Sequence, residues 1–243
     1  MNGLRKPADM VLTLCLVRVA LSIASCTKEP VTFSETGIFT DARDSHHYSW
    51  VQIGDQVWMA ANLSYLPTVS PSSSRSDSSA LYYVYDNQST DLLTVSAQTN
   101  YITYGVLYNW EAAKTACPSG WHLPSDEEWK VLEKTLGMAD SDVNDWDWRN
   151  SGAVGEQLKE TGTSHWQDLN EAVTNSSGLT VIPGGWLKSQ GEFVNLGLSA
   201  RFWTSTHYGE SLAWFRGLFY DYYGVQRYGD YRRSGLSVRC IRD

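Results

Sequence analysis

The sequence predicts an α+β fold, with two short helices followed by a mostly antiparallel β region. Three observations predict it. Two helix-start signals lie close together, Asn109 ahead of one short run and Ser125 ahead of another. A Gly54-Asp55 pair joins two short apolar runs in the manner of a hairpin. From residue 178 onward, short β-like runs alternate with turns and no helical periodicity remains.

Taken in order, the chain opens with an address. Arg5 and Lys6 precede an apolar run from Met10 that is broken at Arg18 and resumes toward Cys26. That pattern makes residues 1–25 a secretory signal, and the run is too short to span a bilayer as a mature helix. Ile23-Ala24-Ser25-Cys26 resembles a bacterial lipobox, so residues 1–25 are expected to be a lipoprotein signal peptide and Cys26 the lipidation site. Two or more acyl chains, at roughly 0.8 kcal/mol per buried methylene, would hold the protein on a membrane. A plain cleaved signal, or initiation at Met10, is the alternative. Residues 26–37 then form a polar tether and 38–243 the folded domain. The expected location is the outer membrane or cell surface of a Gram-negative bacterium.

Within the domain, residues 49–53 and 56–59 flank the Gly54-Asp55 turn, and 68–80 form a serine-rich polar loop with little to bury. Apolar stretches at 82–85 and 101–108 frame an insertion. Asn109 caps a helix over 110–116, which Pro118 and Gly120 end. Ser125 and Glu128 form a capping box, Trp129, Leu132 and Leu136 share one helical stripe, and Gly137 stops it. Asp126, Glu127 and Glu128 fit the positive helix N-terminus better than a catalytic pair. Residues 213–220 read as a strand and 221–224 as a turn. The closing strand sets Leu236, Val238 and Cys240 on one face and Ser237 and Arg239 on the other.

The 243 residues suit one large domain with its own core. Nineteen Lys+Arg against 27 Asp+Glu leave a net charge of -8 with no basic block, which excludes nucleic acid as a partner. A hydrophobic share of 42% with 19% charged residues excludes a disordered chain. Of the four cysteines, Cys15 lies in the signal and Cys26 is the lipid site. Cys117 and Cys240 remain as the pair expected to oxidise in an exported chain. A competing Cys117–His122 nucleophile pair has no activated arrangement behind it.

Two stretches carry candidate chemistry. Asp140, Asp142, Asn144 and Asp145 have the spacing of a calcium-loop start, but Asp145 stands where Gly is needed and Ser151 where Glu should close the site. An acidic surface loop is the expectation, with calcium as the alternative, and no cofactor is called for. The 11 Trp and 14 Tyr concentrate attention on the C-terminal region. Trp203 and Trp214 read as core, whereas Tyr222, Tyr223, Tyr228 and Tyr231 read as turn residues that, with Arg227, make a surface binding patch.

Several motifs carry a family resemblance. Tyr104-Gly105-Val106-Leu107-Tyr108-Asn109-Trp110-Glu111-Ala112-Ala113 leads to Cys117-Pro118-Ser119-Gly120-Trp121-His122-Leu123-Pro124-Ser125-Asp126-Glu127-Glu128-Trp129. Pro183-Gly184-Gly185, Phe202-Trp203-Thr204-Ser205-Thr206 and Ser237-Val238-Arg239-Cys240-Ile241 follow. Together, over about residues 38–243, they resemble the signature of the Fibrobacter succinogenes major paralogous domain. The block around the two helices, with its last strand ending in Cys, also resembles the C-type lectin-like fold and its formylglycine-generating-enzyme branch. That second resemblance implies a disulfide from the first helix to the last strand. The family resemblance implies exported or lipid-anchored proteins of Bacteroidetes and Fibrobacteres without an established activity. The Glu-Pro-Asn, Gln-Pro-Asp and Trp-Asn-Asp motifs of calcium-dependent sugar binding are missing from the domain, as are the two further cysteines of the oxidase branch. The expected function is therefore a non-catalytic, membrane-anchored binding or interaction module whose partner is a glycan or another surface protein. A structural envelope or adhesin component is the alternative, and an enzyme lacks a nucleophile–base pair, metal set or phosphate loop.

Overall fold

A computed structural model describes residues 35–168 and 171–243, all within one contact unit, Val31–Asp243. The expected signal peptide, the lipid site Cys26 and most of the tether lie outside the described residues. The first strand already begins at Thr36, ahead of the expected domain start.

Three sheets carry the fold. The first strands are β1 (Thr36–Thr40), β2 (His47–Ile53), β3 (Gln56–Met59) and β4 (Tyr82–Tyr83). Helices α1 (Leu92–Ser96) and α2 (Thr99–Tyr104) precede β5 (Leu107–Tyr108), α3 (Trp110–Ala116), β6 (Trp121–His122) and α4 (Asp126–Thr135). Then come β7 (Asp147–Arg149), α5 (Val154–Leu158), β8 (Gly184–Leu187), β9 (Phe193–Leu196), β10 (Ser199–Tyr208), β11 (Leu212–Phe219), β12 (Val225–Tyr231) and β13 (Ile241–Arg242). One sheet has the order β1-β2-β3-β13-β6, the second β7-β12-β11-β10-β8-β9, and β4 pairs with β5. Pairing between these strands is antiparallel except where β10 meets β8 at Ala200 and Gly185, and isolated parallel bridges join Lys159 to Val181 and Phe202 to Ser237. The class is α+β with mostly antiparallel sheets. The helices outnumber the two expected, because the insertion between 82 and 108 carries α1 and α2 and a further helix follows β7.

The local signals act as their chemistry requires. Gly54, at φ +59°, takes the left-handed position between β2 and β3 that a side chain would resist. Ser125 and Glu128 make the reciprocal capping box, and Trp129, Leu132 and Leu136 are buried along one face of the helix end. Asn109 caps α3 by accepting from the Ala112 amide at 3.0 Å, and its own amide donates to the Ser76 and Ser79 carbonyls at 2.9 and 2.8 Å. The serine-rich loop is thus held rather than loose, and Ser70 and Ser72 are buried in it.

Two apolar clusters form the main core. Trp203 belongs to one with Tyr48, Trp110 and Phe215; its neighbour Phe202 belongs to the other with Trp58, Trp129 and Leu218. Successive strand residues point to opposite faces, so β10 buries both of its faces. Residues 236–240 are buried on both sides as well, but they do not form a regular strand. Ser237 and Arg239 are as buried as Leu236, Val238 and Cys240, and regular strand is confined to β13. Arg239 reaches the Asn62 side chain at 2.9 Å and the Met59, Leu179 and Thr180 carbonyls at 3.3, 2.7 and 3.1 Å. Burial pulls its pKa down to about 9. Cys117, at the end of α3, is joined to Cys240 across 123 positions of sequence. This bond excludes Cys117 as a free nucleophile.

Candidate functional site

The site is built on a buried charge network. Asp126, in the first turn of α4, is far more than a complement to the helix dipole. It accepts from Arg227 through Nε at 2.9 Å and Nη2 at 2.8 Å, and from Arg216 Nη1 at 2.7 Å. Arg216 Nε also donates to Glu133 at 2.7 Å, and Arg149 grips both oxygens of Glu133 at 2.7 Å each. Burial alone would raise the Asp126 pKa, but the bonds from Arg227 and Arg216 overcome it and hold the carboxyl well below the usual range. The network ties β7, β11 and β12 to α4.

Arg227 is therefore not a surface ligand-binding residue. Residues 227 and 228 alternate across β12, and this alternation turns Arg227 inward toward Asp126 and leaves Tyr228 exposed. Tyr228 and Tyr231 lie in this strand rather than in turns. The Arg227 guanidinium lies 3.8 Å from the centre of the Trp214 ring, and the Tyr208 ring lies 4.3 Å from Trp214. Trp214, expected in the core, is only half-buried. Opposite it on β12 stands Gly229, where an added Cβ would come within 2.5 Å of the Tyr208 ring. The missing side chain is what lets Tyr208 settle there.

Trp146 completes the site. It is 55% exposed and meets Tyr228 edge-on at 4.6 Å. Trp146, Tyr208, Trp214 and Tyr228, with Leu212 and Gly229, line a cleft of about 140 Å³. On the other side of Tyr228 a hollow of about 420 Å³ is lined by Arg201, Phe215, Gln226, Asp230 and Tyr231. Arg201 Nη1 donates to Asp230 at 3.0 Å, and Gln226 Nε2 donates to Asp147 at 3.0 Å.

Of the remaining predicted residues, Tyr231 lines this hollow, whereas Tyr222 and Tyr223 separate from it. Tyr222 is half-buried, packed on Trp148 at 4.4 Å with its hydroxyl accepting from Asn150 at 3.0 Å. Exposed Tyr223 stacks on it at 5.3 Å. The Lys159 ammonium pins their turn by donating to the Phe219 and Tyr222 carbonyls at 2.9 and 2.8 Å. Tyr231 lies under Arg233 at 4.8 Å. The calcium candidates are engaged separately. Asp140 pairs with Lys134 at 2.6 Å, Asp142 accepts from Ser141 at 2.7 Å, and the Asn144 carbonyl accepts from buried Arg227 at 3.0 Å. Asp145 stands exposed, and among the described residues no three His, Cys, Asp or Glu side chains gather as a metal would need. The acidic spacing hides Trp146, the exposed ring of that loop, while Trp148 lies half-buried in β7. His122 meets Glu128 at 2.8 Å and Asp243 at 2.6 Å instead of a thiolate.

Fold and groove together define a disulfide-stapled α+β domain with an aromatic cleft on one sheet. The chain belongs to the Fibrobacter succinogenes major domain family, whose model matches residues 51–242. No curated protein and no solved structure matches it. Among the described residues no helix is long and apolar enough to cross a membrane.

Proposed function

We propose that this protein is a non-catalytic binding module of the bacterial envelope, exported and anchored through lipid on Cys26, with a C-type lectin-like fold. Its partner is a glycan or another surface protein, engaged at the Trp146–Tyr228 groove. The observation that carries this reading is the exposure of Trp146, Tyr208 and Tyr228 at 55%, 44% and 38% around one cleft, rings that a purely structural role would bury. The disulfide between the end of α3 and the segment before β13 supports the fold reading. The neutralisation of Asp126 and Glu133 by three arginines suits architecture rather than proton transfer. The structural alternative is favoured at one place, the Tyr222–Trp148–Asn150 cluster, whose rings pack on one another.

The test is a glycan array and a surface-protein pull-down with the full chain, repeated with Trp146→Ala and Tyr228→Ala. Each loss of a stacking ring should weaken the ligand by about tenfold. Lack of any ligand sensitive to either substitution would overturn the binding reading. Palmitate labelling that survives Cys26→Ser would overturn the anchor.

A further inference from the structure

We propose that the groove is a two-subsite receptor for an uncharged saccharide chain. One ring sits in the slot between the Trp146–Tyr228 and Tyr208–Trp214 pairs, and its neighbour lies against Arg201, Gln226 and Asp230. This rests on the binding reading above and narrows its ligand.

The slot comes first. Its walls are ring pairs with centres 4.6 and 4.3 Å apart, and Trp214 is fixed from behind by Arg227 at 3.8 Å. At about 140 Å³ it falls below the roughly 300–1,000 Å³ of pockets that enclose a whole ligand, which is room for one ring. Flat apolar faces rimmed by phenol and indole polar atoms match the C–H face and hydroxyl edge of a sugar. A recessed slot one ring wide suits a chain of repeating rings better than the broad apolar core of a protein interface.

Across Tyr228 the chemistry changes. The adjoining hollow presents a guanidinium, a carboxylate and an amide, planar groups that hydrogen-bond hydroxyls in pairs. They are held beforehand: Arg201 by Asp230, Gln226 by Asp147, and Asp230 also by the Tyr231 amide and Ser234 hydroxyl at 2.8 and 2.9 Å. Arg201 and Asp230 cancel in charge, and Arg227 is neutralised by Asp126. Asp145 and Asp147 flank Trp146, and Glu210 lies two positions after Tyr208, so three exposed carboxylates neighbour the slot-lining residues in sequence and oppose an anionic chain. Acidic polysaccharides are disfavoured there, and neutral chains are not.

The experiment is calorimetric titration of the full chain with neutral glucan, xylan and mannan oligosaccharides, their monosaccharides, and galacturonate oligomers. At least one neutral chain should bind about tenfold or more tightly than its own monosaccharide. Trp146→Ala, Gln226→Ala and Gly229→Ala, the last displacing Tyr208, should each weaken it by about fivefold or more. Trp146 is exposed at the rim while Gly229 and Gln226 are half-buried in β12, and a melting temperature within a few degrees of wild type certifies each variant's fold. Equal binding of chain and monosaccharide, no effect of Gln226→Ala, or galacturonate binding as tight as the neutral chain would overturn the proposal. If every saccharide fails while a surface protein binds in a Trp146-dependent way, this proposal falls and the binding module stands. If nothing depends on Trp146, both fall.

Discussion

Replacing Asp126 by Asn keeps the shape of the side chain and removes the charge that Arg227, Arg216 and Lys130 share. In the folded protein Arg227 makes both of its carboxylate bonds to Asp126, at 2.9 and 2.8 Å, while Arg216 retains Glu133 and Lys130 retains Glu127. Arg227 would be left buried with the Asn144 carbonyl as its firm acceptor. Breaking one side of a buried pair costs about 3–5 kcal/mol, because the abandoned charge cannot return to water. For a chain of this size each kcal/mol moves the midpoint by roughly 2–4 °C, so melting should fall by about 6–20 °C. Urea unfolding followed by tryptophan fluorescence measures it, and the double variant Asp126→Asn/Arg227→Gln should recover part of the loss. The effect has a pH signature. The folded carboxyl titrates below its ordinary value of 3.8, so its contribution is complete above that value and disappears as pH falls through the folded one. Asp126→Asn should flatten the acid limb. A loss under about 1 kcal/mol together with an unchanged acid limb would refute the claim that this carboxylate holds the sheet to α4.

Other expectations follow from single contacts. Reducing the Cys117–Cys240 bond opens a 123-position loop and should cost on the order of 5 kcal/mol by loop entropy, read as a shift in the urea midpoint with and without dithiothreitol. Burial opposes charge on His122, but Glu128 and Asp243 outweigh it and raise its pKa above 6.5. Its stabilisation is therefore full below pH 6.5 and lost as pH rises through the folded value, and His122→Asn should abolish that slope in a pH series of melts. Lys159, lowered by burial to about 8, behaves with the opposite sign. Between pH 8 and its ordinary 10.5 the unfolded chain binds the extra proton, so wild type should gain stability relative to Lys159→Met over that window. Parallel curves for the two would refute the assignment.

What could be read from the sequence was what short spacings govern. The Ser125–Glu128 capping box, the Gly54 hairpin and the Trp129 stripe each depend on neighbours within a few residues, and each forms. The Cys117–Cys240 pair was accessible by elimination and through the family likeness. The Arg227–Asp126 pair was not, because its members lie 101 positions apart. Period-two reading of β12 would have separated Arg227 from Tyr228. The serine-rich loop reads as free because its anchor, Asn109, has a complete local role as a helix cap. Trp146 was masked by acids whose spacing imitated a metal loop.

β13 lies between β3 and β6, Ile241 pairing with Trp58 on one side and His122 on the other, and the Cys240 carbonyl receives the Met59 amide at 2.9 Å. The early hairpin therefore waits, with an unpaired edge, for a segment more than 170 residues downstream. Closure across such a separation is slow, and an open edge recruits other chains in the interval. The last strand to be made is thus the one that closes the first sheet, so the hairpin edge stays open until the C-terminal residues arrive.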